Sequence, residues 1–197
     1  METLHSERRF GHRIEILPDL SPSSPDKNDD SALFLVGWHR DFTVTREMQL
    51  DGQKIIHPPL KQPEDIEQWE ETHWYWNLYA YIHSGVALSL GRTGQFSDPW
   101  DSCQVGYVLG SKEEWPDDDD AIPAAQALVD EWNAYLSGNV VGFEIHKDGE
   151  LVDSCWGFIG CQDFALDEAR SEVDAIIQTQ SPIPQDAAGA LRLVGGC

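Results

Sequence analysis

The triplet Asp-Ser-Cys occurs twice, as Asp101-Ser102-Cys103 in WDSCQVGYVLG and as Asp153-Ser154-Cys155 in LVDSCWGFIGC. Glycine and an aromatic residue follow each time, at Gly106-Tyr107 and Gly157-Phe158. Such a pair could be two nucleophiles or half of a metal site. A nucleophilic cysteine needs a nearby histidine and an electropositive setting that favours thiolate. Both triplets lie among carboxylates, which favour the neutral thiol. A zinc site needs Cys-x-x-Cys or a comparable spacing, and the closest pair among Cys103, Cys155, Cys161 and Cys197 is Cys155 with Cys161. The expectation is reduced, mostly buried thiols packed as small apolar residues, in two strands reached through Asp-Ser turns.

Seven histidines (His5, His12, His39, His57, His73, His83, His146) are scattered without His-Glu-x-x-His spacing. His39 and His83 could meet across neighbouring strands, with Asp98 or Asp101 nearby, and hold a divalent metal for a small hydrolase. A structural histidine beside Arg40 is the competing reading of His39. The chain carries neither the phosphate-binding Gly-x-x-x-x-Gly-Lys-Ser/Thr loop nor the Gly-x-Ser-x-Gly elbow. No catalytic residue, metal or cofactor is assigned, and a non-enzymatic protein is the leading expectation.

Charge is the strongest signal. The chain has 35 acids against 13 Lys and Arg, a formal charge of −22. Residues 1–62 hold 10 acids and 8 bases, whereas residues 63–197 hold 25 and 5. Such a field repels nucleic acid directly and favours basic surfaces. The eight tryptophans could stack bases, but stacking sites need a cationic groove, so they are assigned to the core. The acids concentrate on predicted helices and their caps: Glu67, Glu70 and Glu71; Glu113 and Glu114; Asp117, Asp118, Asp119 and Asp120; and Asp163, Asp167 and Glu168. Carboxylates one helical turn apart stand about 5–6 Å from each other. They could imitate a row of phosphates, or simply solvate the outer helix faces.

The elements that must carry these groups follow from periodicity. FGHRIEILPD (10–19), ALFLVGWH (32–39), WYWNLYAYIH (74–83), VALSLG (86–91) and QVGYVLG (104–110) read as strands. VVGFEIHKDGELVDSCWGFIG (140–160) reads as a hairpin through its KDGE turn. Helices are predicted near 63–71, 121–137 and 163–179. The second has Ile122, Ala125, Leu128, Val129, Trp132, Tyr135 and Leu136 inward; the third has Phe164, Ala169, Val173, Ile176 and Ile177 inward. Residues 40–62 match no clear pattern. The expected fold is α+β: a largely antiparallel sheet of hairpins with two or three amphipathic helices packed on it. Residues 1–180 are expected to form a single domain with a mobile Ser/Pro/Asp loop at 20–30, followed by a tail at 181–197. The start METLHSERRF has no apolar run after its basic residues, and no apolar stretch nears the ~20 residues that span a bilayer. A cytoplasmic protein is expected.

Several segments together carry a family resemblance. They are Gly37-Trp38-His39-Arg40, Tyr79-x-Tyr81-x-His83-Ser84-Gly85, Pro99-Trp100-Asp101-Ser102-Cys103-Gln104-Val105-Gly106-Tyr107, Tyr135-Leu136-Ser137-Gly138-Asn139-Val140-Val141-Gly142 and Asp153-Ser154-Cys155-Trp156-Gly157-Phe158. Over about residues 30–160 the chain resembles a family of small acidic proteins of unassigned function from bacteriophages and other mobile elements. It departs at Cys103, where the family more often has glycine. The resemblance implies a mobile-element context. By analogy with acidic anti-CRISPR and anti-restriction inhibitors, some of them DNA mimics, it points to a host defence protein with a basic, nucleic-acid-binding surface. A structural or regulatory phage protein, acidic for solubility alone, is the third reading. The end LRLVGGC looks like the tail of ubiquitin, but nothing upstream does, and the match is read as coincidence.

Overall fold

Two tight turns set the first sheet. Phe10-Gly11 (φ 48° and 80°) and Asp148-Gly149 (φ 52° and 90°) place consecutive residues in the left-handed region, the conformation that two-residue hairpin turns require. The first joins β1 (His5–Arg9) to β2 (His12–Pro18), and the second joins β10 (Val140–Lys147) to β11 (Glu150–Ile159). The computed structural model describes residues 2–25, 32–40, 42–44, 46–50, 53–57, 66–67, 69–91, 96 and 101–180. Its strands are antiparallel and its class is α+β, as expected. They form three sheets rather than one, the first ordered β1-β2-β10-β11.

The chain divides into two compact units where one domain was expected: Met1–Pro18 with Val141–Cys197, and Asp19–Val140. Of the expected loop at 20–30, residues 26–30 lie outside the described residues, as does the expected tail at 181–197.

In the first unit, the helix α2 (Gln162–Gln180) covers one face of the four-stranded sheet. Ala165, Ala169 and Val173, each four residues from the next, are fully buried against Ile14, Ile16, Val141, Phe143 and Ile145. Small side chains on that stripe let the helix backbone approach the sheet. Phe164, expected inward, is 56% exposed, because the stripe runs through its neighbour Ala165 instead.

Two charged forks fasten the edge strand β1 to this helix. Arg9 donates Nε and Nη2 to Asp174 at 2.8 and 2.7 Å. Arg170 donates the same two groups to Glu7 at 2.9 and 2.7 Å. Residues two apart on a strand are separated by roughly 7 Å, and residues four apart on a helix by roughly 6 Å. Glu7 with Arg9 and Arg170 with Asp174 therefore meet in register with opposite polarity. The alternation of charges in HSERR, uninformative as a hydrophobic pattern, is what fastens this strand to the helix.

In the second unit, five strands centre on β9 (Ser102–Ser111), flanked by β3 (Leu33–His39) and β7 (His73–Ile82). The edges are β4 (Phe42–Val44) and β8 (Val86–Leu90); β5 (Arg46–Leu50) and β6 (Gln53–His57) pair as a separate hairpin. These three strands, β4 to β6, occupy the stretch that showed no sequence pattern. Gly106 sits where β3 and β9 come closest: a Cβ there would strike the Val36 carbonyl, so the pairing of Gly37 with Gly106 requires glycine.

Helix α1 (Asp118–Leu136) packs Ala125, Val129 and Trp132 on one face of this sheet. Ile122, expected inward, is 40% exposed, and Ala121 takes the buried position. Asn133 donates to the Leu88 carbonyl and accepts from the Leu88 amide, so the helix binds backbone groups of edge strand β8. On the opposite face, Ile66 and Trp69 cover Phe34, Val36, Tyr107 and Leu109.

The forks make the first unit sensitive to acid. Its hydrogen bonds to Arg170 hold Glu7 below its ordinary value, and those to Arg9 do the same for Asp174. Folded values below the unfolded ones give stability that is complete above the usual carboxylate range, about pH 4–4.5, and lost as pH falls through the folded values. Amide-exchange protection of β1 and α2 should therefore decline on acidification from about pH 5 to pH 3. In Glu7→Gln part of that protection should already be absent at neutral pH. Protection in the parent chain that ignores pH would contradict the forks.

Candidate functional site

The acids singled out in the sequence separate between the two units. Asp163, Asp167 and Glu168 lie exposed on α2, and Asp167 accepts a hydrogen bond from Arg170 at 3.0 Å. The other nine belong to the second unit: Glu67, Glu70, Glu71, Glu113 and Glu114 lie beside the corner where β7 begins and β9 ends, and Asp117 to Asp120 lead into α1.

Strand pairing makes that corner. His73 of β7 lies opposite Ser111 of β9, so the chain before His73 runs beside the chain after Ser111. The Lys112 amide donates to the Thr72 carbonyl at 2.9 Å, and the Trp74 indole donates to the Trp115 carbonyl at 2.7 Å. Before β7, tight-turn bonds run from the Trp69 amide to Ile66, from the Glu70 amide to Glu67 and from the Thr72 amide to Trp69. The helix expected at 63–71 is thus described only at residues 66 and 67; residues 63–65 and 68 lie outside the described residues.

Fully buried Trp69 anchors this segment, with the ring of His73 edge-on at 5.3 Å. Burial first, and Lys112 second, hold His73 below its ordinary value, which keeps the ring neutral near neutral pH.

Glu67, Glu70, Glu71, Glu113 and Glu114 project from this corner as exposed side chains, and Asp117, Asp118, Asp119 and Asp120 continue it into the start of α1. Asp117 caps the helix by accepting from the Asp119 amide at 3.0 Å. Negative side chains here also complement the positive end of the helix dipole. Glu70 accepts from the Tyr75 hydroxyl at 2.8 Å, and that bond raises the phenol above its ordinary value.

Lys112 is the one Lys or Arg within residues 66–73 and 111–120, and it is turned inward. Its ammonium donates to the Glu70 carbonyl and lies 4.5 Å from the centre of the Trp74 ring. Among the described residues, Glu67, Glu71, Glu113, Glu114, Asp118, Asp119 and Asp120 have no ion-pair partner. The nine carboxylates are met, among the described residues, by a helix N-terminus and a phenol but by no cation.

The metal-hydrolase arrangement does not form as expected. Strand β9 lies between β3 and β7, so His39 and His83 are not on neighbouring strands. His83 reaches Asp101 instead, with Nδ1 3.3 Å from Oδ2, while Asp98 lies outside the described residues. The cysteines are corrected too: Cys103, Cys155 and Cys161 are exposed rather than buried. Ser102 opens β9 as expected, but Asp153 and Ser154 sit inside β11, which begins at Glu150. Cys197 lies outside the described residues.

A second constellation, in the first unit, was missed. Arg13 and Glu15 on β2 stand opposite His146 and Glu144 on β10. His146 Nε2 lies 3.0 Å from Glu144 and 3.6 Å from Glu15, and Arg13 lies 3.3 Å from Glu15. The two carboxylates and the imidazole converge closely enough to ligate a cation. However, Arg13 already neutralises Glu15, and His146 Nδ1 is buried without the acceptor that a ligating histidine's second nitrogen uses. The charges complement one another without a metal. The available signal was strand periodicity in the pairs Arg13-x-Glu15 and Glu144-x-His146, each on one sheet face.

Compared with known proteins, the chain matches no family model, no curated protein and no solved structure. Among the described residues, no helix is long and apolar enough to cross a membrane.

The corner's architecture is open to test. Lys112→Met keeps the apolar stem and removes both the hydrogen bond and the cation over Trp74. The expected cost is about 1 kcal/mol in chemical denaturation, with faster amide exchange at residues 69–73. Unchanged stability and exchange would show that Lys112 does not hold the corner.

Proposed function

We propose that the chain is a non-enzymatic binding protein that presents its acidic corner to a basic, nucleic-acid-binding surface of another protein. The observation that carries this reading is the nine carboxylates within residues 67–71 and 113–120, together with the inward turn of Lys112. Solvation alone requires no common location, and acids kept for solubility could be paired without harm. Here they flank one end of β7 and β9 and the start of α1 and, among the described residues, largely lack ion-pair partners, while the first unit joins Glu7, Asp167 and Asp174 to arginines.

Carboxylates on adjoining segments offer a cationic groove negative charge of the kind a phosphate backbone carries, without the bases. The resemblance to phage and mobile-element proteins makes a host defence protein, such as a CRISPR effector or a restriction enzyme, the partner class. That step is analogy and rests on the resemblance alone.

The test begins with affinity capture of the partner from a host carrying active defence systems, followed by binding measurements on the purified pair. Affinity should fall steeply between about 50 and 500 mM salt, as exposed charge contacts are screened. Reversing Glu113, Glu114 and Asp119 to lysine should weaken binding at least about tenfold, with a slower association rate. Reversing Asp163 and Glu168 should cost less. Affinity indifferent to salt, or to reversal at the corner, would overturn the reading.

A further inference from the structure

At the turn end of the four-stranded sheet, between the two hairpin turns, lies a cavity of about 410 Å³. It is lined by Arg8, Gly11, Arg13, His146, Asp148 and Gly149. Three of these residues form a row across the sheet: Arg8 of β1 pairs with Arg13 of β2, and Arg13 pairs with His146 of β10. Directly paired residues point to the same sheet face, here the face away from α2. Ile14, Phe143 and Ile145, at alternate positions, are buried on the helix side.

Like charges directly opposite each other on neighbouring strands are destabilising. The chain has 35 acids with which to avoid this, yet it sets arginine against arginine. The neighbouring carboxylates among the described residues leave one charge of the row, that of Arg8, without a partner. Glu7 is committed to Arg170 on the helix side, and Glu15 engages Arg13. Among the described residues, no salt bridge joins Asp148 to either arginine, and Arg8 is exposed with no ion-pair partner. Glu15 and Glu144 flank Arg13 and His146 from the row behind and fix their directions beside the cavity.

We propose that this cavity binds a small phosphate-bearing anion, held by the guanidinium forks of Arg8 and Arg13, with His146 on its wall. A planar guanidinium fork recognises phosphate oxygens bidentately. The cavity volume falls within the range of small-molecule sites. The closely spaced turns at Gly11 and Gly149 leave the rim free of bulky side chains. The Asp148 carboxylate on the rim disfavours an anion that fills the whole cavity, so the ligand's charge belongs at the arginine side. The inference is independent of the acidic corner, which lies in the other unit.

The experiment is a titration of the full chain with inorganic pyrophosphate, followed by NMR at the Arg8 and Arg13 side-chain Nε signals and the Gly11 and Gly149 amides. Saturable shifts at these positions are expected. Arg8→Gln should weaken binding at least tenfold, as loss of a charge-assisted bond does. Because Arg8 is exposed and unpaired, that variant should stay folded, which its thermal unfolding checks. Lys112→Met, which removes a charge elsewhere, should leave the affinity unchanged. Shifts that do not saturate, or an affinity indifferent to Arg8→Gln, would overturn the proposal.

Discussion

A chain with 35 carboxylates and 13 Lys and Arg side chains cannot pair most of its acids, so the placement of its cations decides which acidic surfaces stay open. The structure uses them unevenly. In the first unit, Arg9, Arg13 and Arg170 each engage a carboxylate, and two of those contacts fasten β1 to α2. In the second unit, Lys112 serves a carbonyl and an indole ring instead of a carboxylate. What remains at the corner is a concentration of negative charge held by buried Trp69, the Trp74–Trp115 bond and the pairing of β7 with β9. Among the described residues, the repulsion there is offset by backbone bonds and apolar burial, not by neighbouring cations. An approaching cationic surface would therefore gain from it.

The same constraint explains what the sequence made visible. Where apolar periodicity decided the structure, the reading was close: β3, β7, β8, β9, the KDGE hairpin and both described helices lie within a few residues of their expected places. Where charge decided, it was not. HSERR carries no apolar alternation, and its attachment to the helix depends on Arg170 and Asp174, more than 160 residues away. Phe164 and Ile122 were placed inward because large apolar side chains dominate a hydrophobic pattern. The helices turn alanines to the sheet instead, where small side chains permit close packing.

The acidic residues were legible as composition but not as a site. That 66–71 and 113–120 adjoin is set by the pairing of His73 with Ser111, a long-range contact that no local pattern encodes. The row Arg8–Arg13–His146 was hidden for the same reason, because it exists only once β1, β2 and β10 are in register. The repeated Asp-Ser-Cys triplets were the most conspicuous motif. They mark two strands with exposed thiols.

The central claim is that the corner, rather than acidity in general, recognises a basic partner. It is tested most directly by hydrogen exchange on the chain with and without its captured partner. The account predicts new protection at residues 66–73 and 111–120, with α2 and β11 unchanged. Protection confined to the first unit, with the corner exchanging as in the free chain, would contradict it.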